Sequence, residues 1–192
     1  MPFVTESIPL HRYRRDKIDG MLFRQIAPAL LGALLTFLTI ASAASEIPLA
    51  PAAIADKVVV IKNEHKLLLM KDGRVLKTYP VSLGENPVGA KMRRGDHKTP
   101  EGDYVLDWHN PRSEYYRSIH ISYPNEADRA RARRMGVSPG GDVFVHGLPN
   151  DYKPLAHENL GDWTDGCIAV TDAEMDEIWR AVPDGTPIEI RP

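Results

Sequence analysis

The sequence predicts a mainly β domain, a sandwich or barrel with a few short helices. Three observations predict it. Short runs rich in β-branched and large apolar residues recur from Lys57 to the C-terminus. Gly, Pro and Asp clusters of the turn-forming kind separate them. Only two stretches carry helix start and stop signals, and each is short.

In order, "HRYRRDKIDGMLFR" is basic and runs into the apolar "QIAPALLGALLTFLTIASAAS". Its uncharged core, Ile26 to Ile40, is short for a span of about 20 residues, and Ala41-Ser42-Ala43 fits an A-x-A cleavage site. Residues 1–43 are read as a signal peptide, with Met21 as a candidate true start; a retained membrane anchor is the alternative. Export to the periplasm or cell envelope is expected. Residues 44–56 form a Pro/Ala-rich linker, and 57–191 form the folded domain. There, "KVVVIK" and "HKLLLMKDGRVLKTYPVSLG" read as strands, with a hairpin at Lys71-Asp72-Gly73. "DYVLDWH" and "DVFVHG" are further strands. "PNEADRARARRMG" is the first helix, closed by Gly136. "TDAEMDEIWRAV" is the second: Thr171 and Glu174 make a capping box, and Pro183-Asp184-Gly185 stops it. "TPIEI" is the last strand.

A formal charge of −2 offers no broad basic face, so nucleic acid is not an expected partner. The single cysteine, Cys167, excludes an internal disulfide and a multi-cysteine zinc site. A metal held by His146, His157 and Cys167 has no ligand-spacing signature, and neither metal nor cofactor is expected.

Free cysteine is often an inert core residue. The neighbours of Cys167 argue otherwise. Asp162, Trp163, Thr164, Asp165 and Gly166 make a polar turn before it, and Ile168, Ala169 and Val170 follow as an apolar run. A thiol at that junction sits at the mouth of an element, where backbone N–H groups can meet a developing oxyanion. A cysteine nucleophile needs a base, and His is the usual one. His146 ends the run Val143-Phe144-Val145 and precedes Gly147, which stands its ring at a strand end. His65, His97, His109, His120 and His157 read as strand-face or loop residues, with a supporting role beside the pair as the alternative for His157.

"VHG" at 145–147 and "TDGCIAVTDAEMDEIW" at 164–179 resemble the YkuD-type L,D-transpeptidase family, which carries His-Gly and, about twenty residues on, Ser/Thr-x-Gly-Cys. "KTPEGDYVL" at 98–106 and "VPDGTPIEI" at 182–190 resemble its Thr-Pro-x-Gly segment and closing strand. The resemblance implies a mainly β catalytic fold and acyl transfer on peptidoglycan. Cys167 would attack the carbonyl of the stem-peptide diamino acid and release D-alanine, with His146 as base. Gly147, Thr164, Asp165, Gly166 and Tyr116 would line the substrate and oxyanion region, with the N–H groups of Cys167 and Gly166 as donors, and Gly147 and Gly166 admitting the substrate closely. The implied partners are stem peptides, an acceptor amine that an envelope protein could supply, and carbapenem-type β-lactams as covalent inhibitors.

Two positions depart from the family pattern: Asp165 stands where many members have His, and Ala169 where many have Arg or Asn. The segment 113–144 is also longer than a minimal domain needs. A hydrolase on the same scaffold and a non-catalytic peptidoglycan-binding module therefore stay open. Tyr115 and Tyr116 are groove candidates, Trp163 a wall of the nucleophile loop, and the Arg129–Arg134 cluster a solvated helix face.

Overall fold

The computed structural model describes residues 53–151 and 161–192; the predicted leader, most of the linker and His157 lie outside them. The strands are β1 (Lys57–Ile61), β2 (Lys66–Lys71), β3 (Arg74–Pro80), β4 (Gly102–Asn110), β5 (Ser118–Ile121), β6 (Val143–His146), β7 (Ile168–Ala169) and β8 (Thr186–Arg191). The helices are α1 (Glu126–Met135) and α2 (Asp172–Ala181). They form one half-barrel sheet in the order β3-β2-β1-β8-β4-β5-β6-β7. Pairing is antiparallel except for β1 with β8 and β6 with β7.

The sequence signals act where predicted. β2 and β3 pair as a hairpin across Asp72-Gly73. Thr171 and Glu174 cap α2 reciprocally, and Val182 ends it, one residue before the expected Pro-Asp-Gly stop. A second capping box, Asn125 with Asp128, starts α1, and Gly136 closes it in the left-handed conformation. The buried Asp128 carboxylate also accepts from the Tyr104 hydroxyl at 3.0 Å, which pins α1 to β4.

The core is the inward face of the sheet. Val58, Val60, Leu67, Leu106, Ile119, Ile121, Val145, Ile168, Ile188 and Ile190 are almost wholly buried, with Met175 and Ile178 of α2 against them. Packing begins ahead of the predicted boundary at 57. Ala55 is buried, and its N–H donates to the Ala181 carbonyl at 2.8 Å.

The segment 113–144 is no appendage. It contains β5, which the sequence signals miss, in the middle of the β4-β5-β6 run. β5 is only four residues long and its alternation is weak, since Ser118, Ile119 and Ile121 are all buried. Two residues of β4, Asp107 and Trp108, face the single His120 of β5, because pairing shifts between Leu106↔Ile121 and His109↔Ile119. This bulge turns both side chains outward where strict alternation would bury one.

The free side of β7 is covered by the chain that follows β3. Ser82 and Ala169 exchange both backbone hydrogen bonds at 2.9 Å, and Gly84 bridges Thr164. Segment 82–85 thereby continues the sheet past β7.

Candidate active site

β6 and β7 run side by side in parallel, with Val145 opposite Ile168 and His146 opposite Ala169. Cys167 immediately precedes β7, so the same register puts it across from Phe144. Directly opposed residues share a face. Phe144, His146 and Cys167 therefore project to the outward face, while Val145 and Ile168 enter the core. The 21-residue sequence separation of His146 and Cys167 collapses to neighbouring strands, and both line one groove of about 520 Å³.

His146 is 3% exposed. Its Nδ1 lies 2.7 Å from the Gly147 carbonyl oxygen. A carbonyl only accepts, so in the neutral ring Nδ1 carries the proton and Nε2 keeps its lone pair. Burial pushes the imidazole below its usual range, opposed in part by that hydrogen bond. Tyr115 and Trp163 flank the ring, at 4.6 and 5.7 Å between centroids.

Burial also pushes the Cys167 thiol up. A hydrogen bond from the Phe144 backbone works against burial, the Asp165 carboxylate adds to it, and the Lys91 ammonium opposes it. The resting pair is thus a neutral thiol beside a neutral imidazole. Sγ lies 3.8 Å from the Asp142 carbonyl oxygen.

The polar turn is built to hold Cys167. Thr164 is buried; its hydroxyl donates to the Cys167 carbonyl at 2.8 Å and accepts from the Gly166 N–H at 3.1 Å. Thr99, the threonine of the Thr-Pro-Glu-Gly motif, accepts from the Gly84 N–H at 3.0 Å and lies 3.5 Å from the same carbonyl. Asp162 accepts from the Leu83 N–H at 2.8 Å and reaches His65 at 2.9 Å. Asp165 projects into solvent, with its side chain 89% exposed and one oxygen 2.6 Å from His97 Nδ1.

Several expected roles change in this geometry. The Gly166 N–H is taken by Thr164, so it is not a free oxyanion donor. Gly166 and Gly147 make room for the protein's own chain rather than for substrate. A Cβ on Gly166, whose φ is +123°, would strike the Lys98 carbonyl. One on Gly147 would lie 2.6 Å from Asp172 Oδ1. Tyr116 turns away from the groove: its hydroxyl sits 3.0 Å from both oxygens of Asp176 on α2. Tyr115 takes the groove position. Trp163, Thr164 and Asp165 line the same groove.

Sequence reasoning missed Glu85, Asn110, Arg112, Ser113, Glu114, Ser118 and Asp142, which also line the groove. Asn110 pairs with Ser118 and Ser118 with His146, a polar row across β4, β5 and β6. No local signal marks such a row, because each member comes from a different strand. The charged lining is Glu85, Glu114, Asp142 and Asp165 against Arg112, so the groove is acidic on balance.

Comparisons with known proteins identify the family. YafK of Escherichia coli (strain K12), provisionally designated an L,D-transpeptidase, is 33% identical over 129 residues, which are 64% of this chain and 45% of YafK. The helical cell shape determining protein Pgp2 of Campylobacter jejuni superposes with a TM-score of 0.54 at 25% identity, over 73% of this chain and 50% of Pgp2. The chain thus spans about half the length of these relatives. Residues 55–190 match the model of the YkuD L,D-transpeptidase catalytic domain, and the chain belongs to that family.

Proposed function

We propose that the protein is a cysteine-dependent acyltransferase acting on peptidoglycan stem peptides in the cell envelope. The observation that carries this reading is the pairing of Cys167 with a base-ready His146 on one face of adjoining strands. Nε2 of His146 takes the thiol proton as Sγ attacks the carbonyl of the third stem residue, a diamino acid. The tetrahedral oxyanion forms beside the Cys167 backbone N–H. The carbonyl C–N bond then breaks, the imidazolium gives its proton to the departing D-alanine amine, and a thioester remains on Cys167. An acceptor amine attacks the thioester, loses its proton to Nε2, and releases the thiol. The acidic lining of the groove suits an approaching ammonium group, and an envelope protein could provide one. Carbapenem-type β-lactams fit as inhibitors because their strained amide acylates the same thiol.

Hydrolysis is the second reading, favoured by the full exposure of Asp165 at the groove wall, where water reaches the thioester. The two separate in one experiment. The enzyme is incubated with a tetrapeptide-bearing muropeptide, with and without a labelled D-amino acid. Exchange of the terminal D-alanine is expected. Tripeptide as the sole product under excess amine would make the protein a hydrolase. Cys167→Ala should fold normally and lose both turnover and β-lactam adduct, and retained activity in it would sink the nucleophile assignment.

A further inference from the structure

We infer that the outward aromatic shelf formed by Trp108, His120 and Phe144 is a glycan subsite, which stacks an N-acetylated hexosamine of the strand bearing the stem peptide. The inference rests on the peptidoglycan reading above for its substrate.

The shelf is an extension of the groove. The strand register sets Cys167 across from Phe144, Phe144 across from His120, and His120 across from the bulge that holds Asp107 and Trp108. These residues form a row over four strands on the outward face. Phe144 itself lines the groove. Three steps of ~4.8 Å place the Trp108 backbone about 14 Å from that of Cys167. An extended stem from the acylated third residue back to the sugar spans about 10 Å. A stem lying along the row delivers its sugar to Trp108.

The shelf's chemistry fits a sugar. Trp108 is 43% exposed, and its ring stacks on His120 at 5.4 Å between centroids and 22° between planes. Phe144 meets both rings edge-on, at 5.7 Å from Trp108 and 5.1 Å from His120. A lone exposed aromatic needs no explanation. This one is re-aimed by a bulge, which spends a regular ladder position to present it. Its stacking partner His120 is itself held by Asp107, 2.7 Å from Nδ1. A pyranose offers a flat face of C–H bonds rimmed by hydroxyl and acetamido groups. The indole matches that face, and the Asp107 carboxylate beside it accepts from the rim.

The test titrates the full-length protein with peptide-free N-acetylglucosamine tetramer by calorimetry, alongside Trp108→Ala and Trp108→Phe. Binding is expected in the parent, retained within a few-fold in Trp108→Phe, and weakened at least about tenfold in Trp108→Ala. A second arm compares a disaccharide-tetrapeptide with the free tetrapeptide. Trp108→Ala should raise KM about tenfold for the first alone and leave kcat unchanged. Absence of sugar binding in the parent, equal binding by Trp108→Ala, or equal KM changes for both substrates would overturn the inference. An ammonium ligand stacked on the indole would produce the last pattern. If the tetramer binds through Trp108 while neither peptide is turned over, the subsite stands and the transferase reading falls. Circular dichroism of the variants reports their folding, which the outward position of Trp108 leaves intact.

Discussion

Burial favours the neutral form of both groove residues: it moves the Cys167 thiol upward and the His146 imidazole downward. The proposed chemistry therefore rests on proton transfer from Cys167 to His146 rather than on a standing thiolate. Two substitutions should move it in opposite directions. His146→Ala removes the base and should slow alkylation of Cys167 by iodoacetamide near neutral pH. Asp165→Asn removes an anion that raises the thiol pKa, so its alkylation profile should shift to lower pH. The shift should shrink in high salt, because Asp165 is exposed. An unchanged profile for His146→Ala would end its assignment as the base. A shift of Asp165→Asn to higher pH would show that this carboxylate works through His97, 2.6 Å away, rather than directly on the thiol.

At the scale of elements, the nucleophile turn is held from two sides, by β6 and by segment 82–85. The second side depends on residues some eighty positions upstream. Gly84 is the tightest point: a Cβ there would strike the His97 carbonyl and lie 3.1 Å from the Gly166 Cα. Ser82 supplies a backbone donor to Ala169 at 2.9 Å. Ser82→Pro deletes that donor and leaves the buried Ala169 carbonyl without it, at a cost of about 1–3 kcal/mol. Urea unfolding should shift to a lower midpoint and turnover should fall. Alkylation of Cys167 should instead become faster, because opening the turn rehydrates the thiol and relieves the burial that raises its pKa. Parallel loss of turnover and alkylation would mean that the strap positions the base rather than shielding the thiol. The capping boxes of α1 and α2 needed no such distant partner, which is why both helices were legible from three-residue spacings.

For the whole molecule, the catalytic domain and the segment ahead of it make separate demands. The sheet ends at the edge strand β3 on one side, and segment 82–85 covers β7 on the other. The basic-then-apolar segment that precedes it reads as an export signal, and we propose that it sends the protein to the cell envelope, where the proposed substrate lies. N-terminal sequencing of protein recovered from the envelope fraction should find a start near Ala44. An intact N-terminus at Met1 or Met21 in that fraction would mean a membrane-anchored enzyme instead, and recovery from the cytoplasm would remove the export proposal altogether.

The sequence by itself determined the features that need only near neighbours. These are the alternating apolar runs, the Asp72-Gly73 hairpin, both helices, and the two short motifs that carry His146 and Cys167. Each rests on interactions within a few residues, so the pattern survives in one dimension. The tertiary structure decided everything that requires register between distant strands. It placed β5 at the centre of the run, chose Tyr115 over Tyr116 for the groove, and gave the Gly166 N–H to Thr164. It also turned Trp108 outward through a bulge. The physical reason is the period of two along a strand: one added residue moves a side chain to the other face, and only the partner strand says where it is added.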